Sequence, residues 1–258
     1  GAAGSIGQLR TAADRLTSVA KQTQTPIFLV GHVTKDGTIA GPKVLEHIVD
    51  TVVEVSGDRT GQLRLVRTIK NRFGPTDEVG VFRMQEFGME AVENPSEIFL
   101  EQTAQDVAGS ATVCVMEGTR PLLIEVQALV NPTQLAMPRR VGRGVELSRI
   151  QVLAAVLQKH CNVPLGSQDI FLSAAGGMNL KEPAVDLGLA MAVVSSYSNT
   201  ATPEKTVFIG EIGLQGEIRS VAHQEQRVKE ARRLGYEHII SRESHTQVRD
   251  VLKDLGLK

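Results

Sequence analysis

The run Pro26-Ile27-Phe28-Leu29-Val30-Gly31 constrains the fold more than any other stretch of the chain. It is uncharged, short and rich in branched side chains, so both of its faces ask to be buried. That pattern predicts a central strand of a parallel sheet. Ahead of it, Ser5 can cap a helix in which Ile6, Leu9, Ala13, Leu16, Val19 and Ala20 recur at helical spacing. Behind it, Val33 to Gly41 reads as a loop, and Pro42 opens a short helix through Ile48. Thr51 to Val55 and Gln62 to Ile69 follow as strands joined by the turn Gly57-Asp58-Arg59-Thr60-Gly61, and Val79 to Met84 closes the set.

Asn94-Pro95-Ser96 interrupts this pattern and sets a boundary, giving domains over 1–94 and 95–258. The second is again α/β. Ala111 to Met116 and Leu122 to Leu129 are strands around Gly118-Thr119-Arg120-Pro121, and Glu146 to His160 is an amphipathic helix with Leu147, Ile150, Leu153, Ala154 and Leu157 on one face. A strand over Asp169 to Ser173, a helix from Pro183 to Ser196, a strand over Thr206 to Ile209 and a hairpin at Gly213 to Gly216 come next. A basic helix from Gln224, the strand His238 to Ile240 and a last helix end the chain.

At 41% hydrophobic and 22% charged, 258 residues are enough for one large globular domain or two ordinary ones. A formal net charge of −1 carries no global nucleic-acid signature, so polyanion binding has to come from local clusters. No apolar run is long enough to span a bilayer and no secretory leader opens the sequence, so the expected compartment is the cytosol. Two cysteines, Cys114 and Cys161, without a CxxC, exclude a cysteine-rich zinc site; both read as inert, partly buried thiols.

Lys70-Asn71-Arg72-Phe73-Gly74 is the first candidate site. Strand alternation puts Lys70 and Arg72 on the same side of a sheet edge, just before a Phe-Gly-Pro turn. Parallel cations on a rigid element suit phosphate oxygens, while a solvated basic face with a structural turn explains them equally well. This pentapeptide, together with Phe28-Leu29-Val30-Gly31-His32-Val33-Thr34-Lys35, Ile39-Ala40-Gly41-Pro42 and Leu45-Glu46-His47, resembles the bacterial RadA family of RecA/DnaB-type DNA-repair motors. The resemblance runs from about Ser5 to the last helix. It implies the second half of a RecA-like sheet domain followed by a Lon-protease-like α/β domain of the ribosomal S5 domain 2-like kind.

It implies ligands and partners as well. Lys70 and Arg72 would act in trans on the ATP of a neighbouring subunit, His32 would sense the γ-phosphate, and Lys35 and Lys43 would flank a DNA-facing loop. The complete protein would be a hexameric, Mg-ATP-driven motor on single-stranded or branched DNA, moving recombination junctions together with the RecA recombinase. This sequence holds no G-x-x-x-x-G-K-[ST] loop, and no apolar strand in it ends in an Mg-binding Asp. The chain therefore reads as an N-terminally truncated member that should not hydrolyse ATP alone.

In the Lon-like half, Gly176 to Ala192 resembles the helix start that bears the peptidase Ser, and Asp186 stands in its place. Gly210 to Val221 resembles the strand pair before the Lys, which puts Glu225 at the Lys position. Two carboxylates cannot replace a hydroxyl nucleophile and its amine base, so no peptidase activity is expected. Arg139, Arg140, Arg143 and Arg149, spaced by Gly142 and Gly144, read as a flexible basic loop at the start of the long helix. They can neutralise successive phosphates, or instead be solvated, or pair with Glu146 and other carboxylates. With 3% aromatic residues and no Trp, base stacking is not expected. The competing readings are a Lon-type Ser-Lys peptidase and a purely structural oligomerisation platform.

Overall fold

The structure, a computed structural model, describes residues 6–31, 45–57, 63–100 and 107–257. It is mixed α/β and divides into two units, Gly1–Ser56 with Leu65–Gly80 and Gly57–Arg64 with Val81–Lys258. Helix α1, Ile6–Thr23, opens the first unit; of its expected apolar face Ala13 is buried, whereas Leu9, Leu16 and Val19 are exposed, and its cap Ser5 lies outside the described residues. Strands β1 (Thr51–Gly57), β2 (Leu63–Asn71), β3 (Val79–Gln85) and β4 (Gly88–Ala91) form one sheet in sequence order.

Two expectations change here. Pro26 to Gly31 is not a strand: it is extended coil with Phe28 89% and Val30 91% exposed. A parallel strand is held by neighbours on both sides, and no described strand pairs with this run. Strand β2 lies between β1 and β3, so Lys70 is on an interior strand and not on a sheet edge. Of the predicted helix from Pro42, only its end, 45–48, is described, as a helical turn; residues 58–61 of the expected turn also lie outside the description.

The second unit carries a sheet in the order β12-β9-β5-β6-β8-β7. Helix α2 (Pro95–Leu100) leads into β5 (Ser110–Glu117) and β6 (Arg120–Pro132), whose two-residue connection places Gly118 at φ 62. Then come β7 (Arg140–Arg143), α3 (Leu147–Cys161), β8 (Gln168–Ala174) and α4 (Asp186–Ser198). Strand β9 (Thr206–Ile209), the short pair β10 (Glu211–Ile212) and β11 (Ile218–Arg219), helix α5 (Gln224–Arg233), β12 (His238–Ser241) and α6 (Val248–Asp254) complete it. Strand β5 pairs antiparallel with β6 and parallel with β9, and β7 pairs parallel with β8.

The centre of this sheet is covered on both faces. Ala111, Thr112, Val113, Cys114 and Val115 are all buried, although alternate side chains point opposite ways. Cys114, Leu123, Val207 and Ile209 pack with Ala231 of α5. On the other face α4 is buried without a break from Asp186 to Ser195, the mark of a core helix. Its approach depends on Gly188, where an added Cβ would sit 2.1 Å from Val113 Cγ1 and 3.4 Å from Phe208 Cβ. Ser195 ties the same helix down: its Oγ accepts the Gly109 N–H at 2.9 Å and donates to the Thr200 carbonyl at 2.6 Å.

Gly188→Ala therefore overpacks the contact between α4 and β5, where neither backbone can retreat without breaking the sheet. The expected cost is roughly 3 kcal/mol, read as a lower denaturant midpoint with an unchanged slope.

Candidate functional site

The basic turn of the first unit is built from its own backbone outward. Strand β2 ends at Asn71, and the Arg72 N–H donates to the Asp50 carbonyl at 3.0 Å. Asn71 closes the bend: its Oδ1 accepts the Phe73 N–H at 3.3 Å and the Thr51 hydroxyl at 3.4 Å, and its Nδ2 donates to the Pro75 carbonyl at 3.3 Å. Gly74 leaves room for that amide, because a Cβ there would lie 2.8 Å from Nδ2. Lys70 is half-buried, and its ammonium donates to the carbonyls of Glu46 (2.6 Å) and Val49 (2.9 Å). Arg72 is exposed, reaches Asp50 at 3.4 Å and lies 5.9 Å from the centroid of Phe73, which is itself 80% exposed. His32, Lys35 and Lys43 lie outside the described residues.

The arginine segment of the second unit is not a flexible loop. Residues 140–143 are strand β7, held by parallel pairing to β8. Arg139 spends its guanidinium on the buried Asp169, with Nε at 2.9 Å and Nη2 at 2.6 Å from Oδ2, while its backbone N–H takes Oδ1 at 2.7 Å. Those donors, the backbone N–H first, hold the Asp169 carboxyl below the usual carboxylate range. Arg140 turns back onto the carbonyls of Leu165 (2.8 Å), Arg139 (3.0 Å) and Gln168. Arg143 faces solvent. Arg149, on α3, donates to the carbonyls of Leu180, Lys181 and Glu182 at 3.0, 2.7 and 2.8 Å.

Around the peptidase-like positions the chemistry is that of a clamp. Asp186 opens α4, 8% exposed, with Oδ1 3.5 Å from Arg149 Nε and Oδ2 receiving the Ile212 N–H at 3.4 Å. Burial pushes its carboxyl up to about 6 against the pull of Arg149. Glu225 is exposed in the first turn of α5, where a carboxylate suits the helix dipole.

Sequence reasoning did not find Arg227 and Glu182. Arg227 is 1% exposed and donates to both Glu182 oxygens (3.0 and 2.5 Å) and to the carbonyls of Ala222 (3.0 Å) and Cys114. Glu182 Oε1 also takes the Met116 N–H at 2.7 Å. The available signal was Arg227 standing four residues before Ala231 on the buried face of α5. The thiols match expectation: burial drives Cys114 up to about 12 and Cys161 to about 11, away from the reactive thiolate.

Asp186 gives a pH signature. The folded carboxyl holds its proton up to about pH 6, whereas the unfolded one releases it near the ordinary aspartate value of 3.8. Unfolding free energy contributed by this group is thus full below the lower value, falls as pH rises between the two, and is flat above. The loss is about 3 kcal/mol at 1.4 kcal/mol per pH unit. Asp186→Asn should remove that slope in urea unfolding measured from pH 4.5 to 7.5, gaining on wild type as pH rises.

The family model described as subunit ChlI of Mg-chelatase matches residues 126–245, within the second unit. Proteins named DNA repair protein RadA from Halalkalibacterium halodurans and Bacillus subtilis are 51% and 48% identical over 239 residues, covering 93% of this chain and 52% of each relative. The Listeria monocytogenes protein of that name is 49% identical over 238 residues, 92% of this chain. The chain spans about half the length of the curated relatives it matches. With nearly all of its residues aligned at such identity, the chain belongs to the RadA family.

Proposed function

We propose that the chain serves DNA repair as part of a RadA-type, nucleotide-driven motor on single-stranded or branched DNA. In this reading 1–94 is a RecA-like part and 95–258 a Lon-like platform that holds a hexamer together in the cytosol. The work of that ring is moving junctions made by the RecA recombinase. The observation that carries it is the built turn at 70–74, which presents an exposed guanidinium on an ordered backbone in a chain related to proteins named for DNA repair. A guanidinium so presented suits the phosphate oxygens of ATP bound by an adjoining subunit. Magnesium would travel with that nucleotide. Among the described residues no helix is long and apolar enough to cross a membrane.

Peptidase chemistry is disfavoured by geometry as well as by residue type. Asp186 is buried 3.5 Å from Arg149, Glu225 is exposed, and neither residue is a hydroxyl nucleophile or an amine base. Casein should survive incubation with the purified chain.

The full-length protein should turn over ATP faster when single-stranded DNA is added and run as a six-subunit particle in mass photometry. ATP turnover indifferent to DNA ends the motor reading. For the DNA surface, Arg143 replaces Arg139 and Arg140 as the expected contact, because those two are occupied by Asp169 and by carbonyls. Arg143→Ala should lower the slope of log affinity against log salt by about 0.7–0.9. Arg139→Ala, which strands a buried carboxylate, should show mainly as lost stability.

A further inference from the structure

We propose that the second unit docks head to tail on a second copy of itself: the tip of the β10–β11 hairpin, led by Leu214, sits on the apolar surround of β7 in the next subunit. The proposal rests on the platform reading given above and names the two surfaces such a platform would use.

The receiving surface lies at the end of the large sheet. Strand β7 is the last in the order, so one of its flanks has no strand beside it. Register lines up Leu129, Phe171 and Val141 as one rung across β6, β8 and β7. Ile170 and Leu172 point the other way and are buried, whereas Leu129 is 61% exposed, Val141 is exposed and Phe171 is half-buried. Met137, in the connection from β6 to β7, is 81% exposed, and Leu135 before it and Leu147 after β7 are exposed too. Among the described residues from 107 onward, five of the eight exposed large hydrophobic side chains thus gather round one short edge strand. Scattered apolar residues on a surface mean little, but a set of them beside an open edge marks a docking surface.

The inserting surface is an ordered turn. The Gly216 N–H donates to the Gly213 carbonyl at 3.0 Å, and the Gln215 N–H to a Glu217 carboxylate oxygen at 3.1 Å. Arg219 bridges Glu217 (2.9 Å from Nε) and Glu211 (3.1 Å from Nη1), fastening the two strands below the tip. Leu214 stands in this braced turn 71% exposed. Its backbone is already fixed, so burying the side chain against a partner loses little further entropy.

The two surfaces lie at opposite ends of α3. Strand β7 packs near its start, where a Cβ at Gly142 would be 3.0 Å from Ile150 Cδ1; the hairpin packs at its end, where a Cβ at Gly216 would be 3.1 Å from His160 Cβ. The helix rises roughly 15 Å between those two residues, so the hairpin does not cover the β7 surface of its own subunit. Charge favours pairing unlike surfaces. Arg139, Arg140 and Arg143 against the single Asp169 leave the flanks of the receiving surface positive, and Glu211 and Glu217 against Arg219 leave the hairpin negative. Arg143 itself stands on the adjoining rung, beside Ser173, outside the contact. A contact between two different surfaces of one chain repeats from copy to copy, and closes into a ring when the rotation between copies allows it.

The test uses the full-length protein in mass photometry, with Leu214→Ser, Met137→Ser and, at another exposed hairpin tip, Phe87→Ser, each checked for an unchanged far-ultraviolet spectrum. Leu214→Ser and Met137→Ser should each weaken assembly by roughly thirtyfold, the loss expected of a central apolar anchor. Phe87→Ser should assemble as wild type does. A benzophenone amino acid placed at 214, in a mixture of isotopically heavy and light copies, should cross-link between copies to residues 129–147 or to Phe171. If the wild type stays a single subunit, the platform reading itself is wrong. If it assembles and Leu214→Ser assembles equally well, that reading stands and the contact proposed here falls. The contact falls too if Phe87→Ser alone dissolves the particle, or if the benzophenone reacts within its own copy or with another segment of its neighbour. Should a serine variant misfold, the cross-link decides.

Discussion

A guanidinium sealed inside a protein has to find an acceptor for nearly every N–H it carries, and Arg227 does so with parts of the second unit that are far apart in sequence. It takes the carbonyl of Cys114 on β5, the carbonyl of Ala222 before α5, and both oxygens of Glu182. Breaking such a pair from one side leaves an uncompensated buried charge, which costs far more than the intact pair contributes. Arg149 grips the same segment from α3 through the three successive carbonyls 180–182. The connection into α4 is therefore held by two arginines from different helices, and the helix start that bears Asp186 follows directly on it.

The same use of arginine recurs elsewhere in this nearly neutral chain. Arg140, Arg149 and Arg227 are turned onto carbonyls or a carboxylate, and Arg139, itself exposed, is held by Asp169. Arginine suits this use because its planar fork meets several acceptors at once without losing its charge. Counting basic residues along the sequence does not show which guanidinium groups are held by carboxylates or carbonyls. The orientation of each guanidinium, which depends on residues up to 113 positions away, decides which of them face solvent.

Most of the secondary structure of the second unit was legible beforehand because its signals are local. The strand Thr206–Ile209 and the helix at Gln224 were found at their observed starts, since branched runs and helical spacing are read within a few residues. Strand β7 was missed: Arg-Val-Gly-Arg carries no strand pattern of its own and is ordered by its partner β8. The opposite error occurred at Pro26 to Gly31, where a strong local pattern had no described partner to pair with. The pentapeptide at 70–74 was visible as a motif, yet the separate fates of Lys70 and Arg72 were not, because the carbonyls that claim Lys70 belong to residues 46 and 49.

The pairing of Thr112 with Val207 and of Val113 with Phe208 has a bearing on biogenesis. The hairpin of β5 and β6 emerges from the ribosome early, but its open flank has no companion until β9 has been synthesised. The Cys114 carbonyl waits still longer, for an arginine 113 residues further on. Contacts of such wide separation slow folding, because the loop must close before they give anything back. The nascent second unit thus passes through a stage with a naked apolar strand, the kind of surface that holdase chaperones cover.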